Sequence, residues 1–337
     1  MKPTLKDKLG IEYPIFLAPM AGGLVTPEFV AQVSSFGMLG AVPSGYLSLI
    51  QIREFVTKVK RHSGKPFSLN LFVDYNVYGT TSIQKPNEIL AIERTFDKGC
   101  PTSFHVPSTP TMDDLIQLTI DCEVPAVSTT FALLRSTHVD ALKDAGILLM
   151  TTINSVYELE LALETQKPDV LIYQNEQAGG HKGGFTSLPH SDDTTILSAI
   201  EQHHDIYCVL AGGIVDKTDI ASALNKGFDG VQIGTAFLAT QESSANEDYK
   251  KAILKNQETA FTTSITGKSA RGLKNRLACL DVQTNPGFPY MHYATAGLRK
   301  TAKAHGDMDY QSLWCGNGIV RINTLPTLSD FMKGLIS

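Results

Sequence analysis

Short apolar runs alternate with amphipathic stretches along the first two thirds of the chain. Pro14–Met20 (PIFLAPM) has the length of a buried strand and holds a proline near its end. TPEFVAQVSSFG then reads as a helix, with Thr26 as N-cap, Pro27 at the first helical position and Gly37 as the stop. Met38–Ser44 is a second strand. Ser48–His62 is a helix with Leu49, Ile52, Val56 and Val59 on one face. Pro66–Val73 is a third strand. Residues 74–110 lose the rhythm: they are rich in Tyr, Thr, Pro and Ser, and only Asn87–Phe96 has a helical pattern. A connection this long inside a compact domain is usually functional or mobile.

The alternation then resumes. Helices are predicted at Met112–Asp121, Ser136–Gly146, Ser155–Gln166, Asp192–His204 and Asp216–Gly227. The strands between them are Val124–Thr130, Ile147–Ile153, Asp169–Gln174, Ile206–Gly213 and Gly230–Ala239. Eight strands, each followed by room for a helix, place the chain in the α/β class as a TIM (β/α)8 barrel over residues 1–240. An open doubly wound sheet is the alternative, but it does not call for so even a spacing. Residues 241–310 break the pattern with a charged helical stretch (Glu242–Thr259) and a Pro/Gly/Tyr-rich segment. They predict an additional, mostly helical lid or substrate subdomain, with 311–337 packing back on the barrel.

Composition narrows the classes. The chain has 337 residues, 42% hydrophobic and 19% charged, with net charge −5 and no basic block. That argues against nucleic acid as a partner. No apolar run approaches membrane-spanning length. MKPTLKDKLG lacks the apolar core of a signal peptide. The five cysteines, Cys100, Cys122, Cys208, Cys279 and Cys315, are scattered without a CxxC. A reduced, cytoplasmic setting and no metal site are expected.

In such a barrel the chemistry lies in the loops that follow the strands. The sixth strand runs into YQNEQAGGHKGG, four glycines around His181. Glycine there permits positive φ or close backbone approach to a ligand. Histidine is suited to proton transfer near neutrality, or to holding an anion as imidazolium. A solvent-facing loop histidine is the plainer alternative. The seventh and eighth strands run into AGGIVDKTDI and VQIGTAF, where Gly212, Gly213, Gly234 and Thr235 suit a phosphate held by backbone amides. Either pair alone reads equally as a tight turn. The first strand ends in APMAGG, whose Met20 could lie against a flat ring. Asn70, set among apolar neighbours in the third strand, needs a partner, either a flavin ring or another core polar group. Tyr290, Tyr293 and Lys300, in NPGFPYMHYATAGLRK, are candidates for a substrate mouth, with a surface loop as the alternative.

Together, PIFLAPMAGG, PFSLNLFV, QNEQAGGHKGGF, LAGGIVDKTDIASALNKGFDGVQIGTAFL, GKSARGLKNR and LWCGNG resemble the nitronate monooxygenase family, formerly 2-nitropropane dioxygenases, of the class I kind. The resemblance spans most of the chain. It implies an FMN-binding TIM barrel with a second, mostly helical domain. By it, FMN would touch Ala18, Met20, Asn70, Gln174, Gly179, Gly180, Gly212, Gly213, Gln232, Ile233, Gly234 and Thr235. His181 matches the family's catalytic histidine. The implied reaction oxidises an alkyl nitronate, such as propionate 3-nitronate, with O2 to a carbonyl compound and nitrite, without a metal or NAD(P)H. A nitroalkane is the neutral form of that substrate, and a homodimer stays open.

Departures from the family's QGxEAGGHRG are Asn175 for glycine, Gln177 for glutamate and Lys182 for arginine; WCGNG replaces WxGQG. If residue 177 faces His181, loss of the carboxylate lowers the imidazole pKa. A flavin-dependent enoyl-acyl-carrier-protein reductase using NAD(P)H shares the AGGHxG loop and is the alternative activity. An IMP dehydrogenase type would need a cysteine in the loop after the sixth strand, and none is there. A flavin- or phosphate-ligand sensor without turnover is the non-enzymatic alternative.

Overall fold

Eight parallel strands close around one axis in the computed structural model, which describes residues 3–76, 78, 82–203, 205–255 and 258–337. They are β1 (Ile15–Leu17), β2 (Gly40–Pro43), β3 (Phe67–Phe72), β4 (Ala126–Thr130), β5 (Leu148–Ile153), β6 (Val170–Gln174), β7 (Tyr207–Ala211) and β8 (Gly230–Ile233). From β2 to β8 each strand pairs with its sequence neighbour, and β8 pairs with β1. The Phe16–Leu39 bridge closes the ring at β2: Leu17 N–H donates to Leu39 O at 2.9 Å, and Leu39 N–H to Ile15 O at 3.0 Å. The (β/α)8 barrel expected from the spacing is the observed fold.

Both faces of each strand are covered, which is why the strands read as apolar runs rather than strict alternations. Ile15, Leu17, Leu69, Val127, Leu149, Leu171 and Leu210 face outward into the core beneath the helices. Phe16, Met150, Val170, Ile172 and Val209 fill the barrel interior. Leu5, Leu9 and Ile11 join that inner cluster, so the helix Leu5–Leu9, capped by Thr4, plugs the N-terminal end. Toward the other end the inward positions turn polar: Asn70, Ser128, Thr152, Gln174 and Gln232 line a cavity at the mouth.

Several boundaries differ from expectation. β8 stops at Ile233, and Thr235–Leu238 is a helical turn. An apolar run alone does not separate strand from helix. The helix expected over Asp192–His204 spans Asp193–Ile200, with His204 outside the described residues. The one expected over Glu242–Thr259 spans Glu247–Leu254, capped by Asn246, with Asn256 and Gln257 outside the described residues. Thr259 opens a strand, Thr259–Thr262, antiparallel to Ala270–Leu273. That second strand also pairs with Gly180–His181, so the glycine loop after β6 is the third member of a small sheet. Within 74–110 the helix Asn87–Phe96 is accompanied by the strand pair Ile83–Gln84 and Ser103–Phe104; Val77 and residues 79–81 lie outside the described residues.

A buried ion pair anchors one side of the mouth. The Lys85 ammonium donates to the Glu93 carboxylate, and both side chains are only 5% exposed. Gly297, in the helix Ala296–Ala304, lies directly against them: a Cβ there would come 2.1 Å from Glu93 Oε1. Removing one member leaves the other charge buried alone. Glu93→Ala is therefore expected to lower the unfolding free energy by about 3–5 kcal/mol in urea titration.

Candidate active site

The strand ends open into a cavity of about 580 Å³. One wall is bare backbone. Gly212 and Gly213, after β7, have φ of +122° and +77°, and a Cβ on Gly212 would lie 2.1 Å from Asn175 Oδ1. Gly234 caps the turn Thr235–Leu238, whose first amides have no acceptor within the helix. The C-terminal segment clamps this wall from behind. Gly316 N–H donates to Thr235 Oγ1 at 2.9 Å, while Arg321 donates to Gly213 O at 2.8 Å and to Asp219 at 2.7 Å. Bare amides at a helix start suit an anion.

Asn70 lies on the floor, 1% exposed. Its amide donates to Ser128 Oγ at 3.0 Å, but Oδ1 is buried and accepts no hydrogen bond. An acceptor left this way at a cavity wall is a place for a ligand donor.

His181 is held by backbone on both sides. Gln174 Nε2 donates to its carbonyl at 2.9 Å, and Gln174 Oε1 accepts from Gly183 N–H at 2.7 Å. Across the small sheet, Lys182 N–H donates to Ser269 O at 2.8 Å. Downstream, the loop wraps the fully buried Glu158, whose carboxylate accepts from the amides of Asn154 (2.6 Å), Phe185 (2.8 Å) and Thr186 (2.6 Å) and from the Thr186 hydroxyl (2.7 Å). Gly184 is required there, since a Cβ would lie 2.2 Å from Glu158 Oε2.

The imidazole itself stands among Phe131, Phe288 and Trp314, with ring centroids 5.6, 6.0 and 5.6 Å away. Its Nε2 lies 2.9 Å from Thr266 Oγ1, which is also 3.3 Å from Lys268 O. Two arrangements satisfy this pair: Nε2–H donates to the Thr266 oxygen and Nδ1 keeps the lone pair, or the Thr266 hydroxyl donates to Nε2. Burial, reinforced by the charges of Lys268 and Arg299, pushes the His181 pKa down to about 3. His292 is likewise lowered to about 3, by burial and then by Arg299 and His181. Both rings are neutral at pH 7. The cavity is lined by Arg299, with Lys300 and Lys303 at its rim, and by no Asp or Glu among the described residues.

The cavity brings together Ala18, Met20, Asn70, Gln174, Gly179, Gly180, His181, Gly212, Gly213, Gln232, Gly234, Thr235 and Lys300. Ile233 does not face it; its side chain lies in the outer core, one step out of phase with Gln232. Tyr290 and Tyr293 do not line it either, and pack around the apolar cluster of Ile89, Leu277 and Met291. Gln177 is not a neighbour that sets the charge of His181: it packs behind Gly213, where a Cβ would lie 2.4 Å from Gln177 Oε1. Thr266, Tyr46, His292, Arg299 and Trp314 were not singled out from the sequence. His292 and Arg299 lie in the aromatic-basic stretch beside Tyr293 and Lys300, and Trp314 in LWCGNG, so these three had a local signal. Among the described residues no helix is long and apolar enough to cross a membrane.

A barrel with a cationic, glycine-walled cavity at its C-terminal mouth and a caged histidine is the architecture of a ligand-binding enzyme. The family model described as nitronate monooxygenase matches residues 2–337. A probable nitronate monooxygenase of Staphylococcus saprophyticus is 34% identical over 320 residues, covering 91% of this chain and 89% of the relative. The crystal structure of nitroalkane oxidase from Streptomyces ansochromogenes is similar at TM-score 0.80 and 28% identity, covering 96% of this chain and 95% of that one. FabK from Thermotoga maritima shares the fold at TM-score 0.75 and 24% identity, covering 100% of this chain and 96% of that one. The chain belongs to the nitronate monooxygenase family, a family of oxidoreductases.

Two predictions follow from the geometry of the histidine loop. Glu158→Gln turns an amide NH2 toward groups that are themselves donors. It should destabilise the protein by about 1–3 kcal/mol in urea and lower turnover through the displaced loop. The second concerns pH. A histidine whose folded pKa lies below its free value of 6.5 contributes stability above pH 6.5 that is lost as pH falls toward about 3. Each such ring adds a slope approaching about 1.4 kcal/mol per pH unit in that window. In ligand-free protein, His181→Asn should remove one ring's share of the slope between about pH 5 and 6.5.

Proposed function

We propose that the enzyme oxidises alkyl nitronates, and the nitroalkanes they derive from, to a carbonyl compound and nitrite, with O2 as electron acceptor and FMN as the bound cofactor. The observation that carries this reading is the neutral, caged His181 facing a cavity lined by cations and by no carboxylate among the described residues. Such a site favours a substrate that is an anion or becomes one.

The residues fit FMN. The Gly212–Gly213 turn and the Gly234–Thr235 helix start, both lining the cavity, offer amides for a phosphate. The orphaned Asn70 Oδ1 offers an acceptor for a ring N–H, with Gln232 and Met20 on the same wall. When bound there, FMN supplies electron acceptance and the reaction with O2.

The chain's own part is binding and proton transfer. Nδ1 of His181 takes the α-proton of a neutral nitroalkane, and the C–H electrons move into C=N to give the nitronate. The low proton affinity of the ring rises once an anion forms beside it, because imidazolium and nitronate then compensate each other. A preformed nitronate skips this step.

The test is aerobic turnover without NAD(P)H, following nitrite and O2 with propionate 3-nitronate, ethyl nitronate and nitroethane. Nitrite release with O2 uptake is expected. NAD(P)H oxidation with an enoyl thioester and no nitrite release would move the chain to the reductase alternative. His181→Asn should keep its flavin, lose about 10²–10⁴-fold on nitroethane and lose far less on the nitronates. Equal loss on both would remove the general-base role.

A further inference from the structure

Four non-glycine residues among those described have positive φ, and two of them are aromatic residues that line the cavity: Tyr46 (+68°) and Phe131 (+81°). The other two, Glu123 and Lys167, lie in helix-to-strand turns away from it. Aromatic residues rarely adopt this backbone conformation, and strain of this kind gathers at functional sites. Phe131 has a visible reason, since its N–H donates to Gly183 O at 2.8 Å and its ring flanks His181. Tyr46 is the third residue of the Ser44–Leu47 turn, closed by Leu47 N–H donating to Ser44 O at 3.0 Å, a position that calls for positive φ and is usually filled by glycine.

Tyr46 follows β2 directly. Gly45 before it makes room for the Phe72 ring, which a Cβ would approach to 2.4 Å. The Tyr46 ring stacks on His292 at 4.0 Å and 6°, and meets the edge of Phe72 at 5.7 Å. Phe72 contacts Phe131 at 4.6 Å, and Phe131 contacts His181 at 5.6 Å, so one line of rings joins Tyr46 to the catalytic histidine. The backbone strain thus sets a phenol in the cavity wall, yet its hydroxyl is buried and makes no hydrogen bond among the described residues. A buried donor without an acceptor needs a reason.

Arg299 supplies the second half. Its Nε donates to Thr295 Oγ1 at 3.1 Å and its Nη2 to His292 O at 2.7 Å, and no carboxylate among the described residues pairs with it. It is close enough for its charge to act on the Tyr46 phenol. A half-buried cation with no carboxylate partner and a buried O–H without an acceptor among the described residues, in one cavity, describe a place for a small anion with at least two oxygens. The phosphate of FMN has its own amide cradle beyond β7 and β8. A nitronate shares its negative charge between two oxygens on nitrogen.

Resting on the functional reading above, we propose that the Tyr46 hydroxyl, backed by the Arg299 guanidinium, is a catalytic residue that donates to the nitro-group oxygens of the substrate. Negative charge on those oxygens grows as the α-proton leaves for His181, so the two donors act where charge develops. Burial also pushes the Tyr46 hydroxyl well above the ordinary phenol range, which keeps it a donor at every working pH.

Tyr46→Phe isolates the claim, because it keeps the ring stack and deletes only an O–H that no group among the described residues uses. Its Tm and flavin content should match wild type. Its kcat/KM on nitroethane should fall roughly 100-fold. Nitrite, which carries the same pair of oxygens, should bind the flavin-loaded protein about tenfold more weakly, read from the visible difference spectrum. Rates and nitrite affinity equal to wild type would overturn the proposal, and loss of flavin would overturn it by assigning the hydroxyl to the cofactor. Because nitrite binding is measured directly, the role of Tyr46 is decided separately from whether the wild type turns over nitronates.

Discussion

The pairing of Gly180–His181 with Ala270–Arg271 is the contact on which the site depends. Barrel strands fix only where a loop begins, and a glycine-rich loop after β6 has too much freedom to aim a ring by itself. The short antiparallel ladder removes that freedom from one side, and Gln174 and Glu158 remove it from the other. The connection between the two ladder strands brings Thr266 to within 2.9 Å of the imidazole, so a single piece of backbone pairing sets the position of the ring and its hydrogen-bond partner. Phe131 and Trp314 then close around it.

The cavity's charge follows a consistent logic. Burial without a neighbouring carboxylate keeps His181 and His292 neutral, and Lys268 and Arg299 reinforce this. Carboxylates near the site serve as scaffolding: Glu158 is saturated by loop donors, Glu93 is paired with Lys85, and Asp219 holds Arg321 behind the glycine wall. Positive charge is left facing the cavity while negative charge is buried around it. An anion entering such a site meets cations and amides.

Much of the barrel was legible because its strands are covered on both faces and its helices announce their starts. Thr26, Ser48 and Asp216 cap the helices that their spacing predicted, and Gly212 and Gly213 adopt the positive φ that glycine permits. The two-residue period also decides one position the other way: with Gln232 inward, Ile233 has to point outward. Other features were not legible for physical reasons. Thr266 lies 85 residues from His181 along the chain, and only tertiary pairing brings them together. Strands of two to four residues, as at Gly180–His181 and Thr259–Thr262, are too short to show a period. Arg299 and Tyr46 take their meaning from what surrounds them, the one from having no carboxylate partner among the described residues and the other from its positive φ and a hydroxyl without a partner among them.

The proposed chemistry depends on the protonation state of one ring. Nitrogen-15 NMR of histidine-labelled, ligand-free protein reads it directly. The prediction is a His181 ring that stays neutral from about pH 8 down to about pH 5, with its proton on Nε2 and a bare Nδ1. A ring that titrates near its ordinary value, or that carries its proton on Nδ1, would contradict the central claim that the fold presents a neutral base to the cavity.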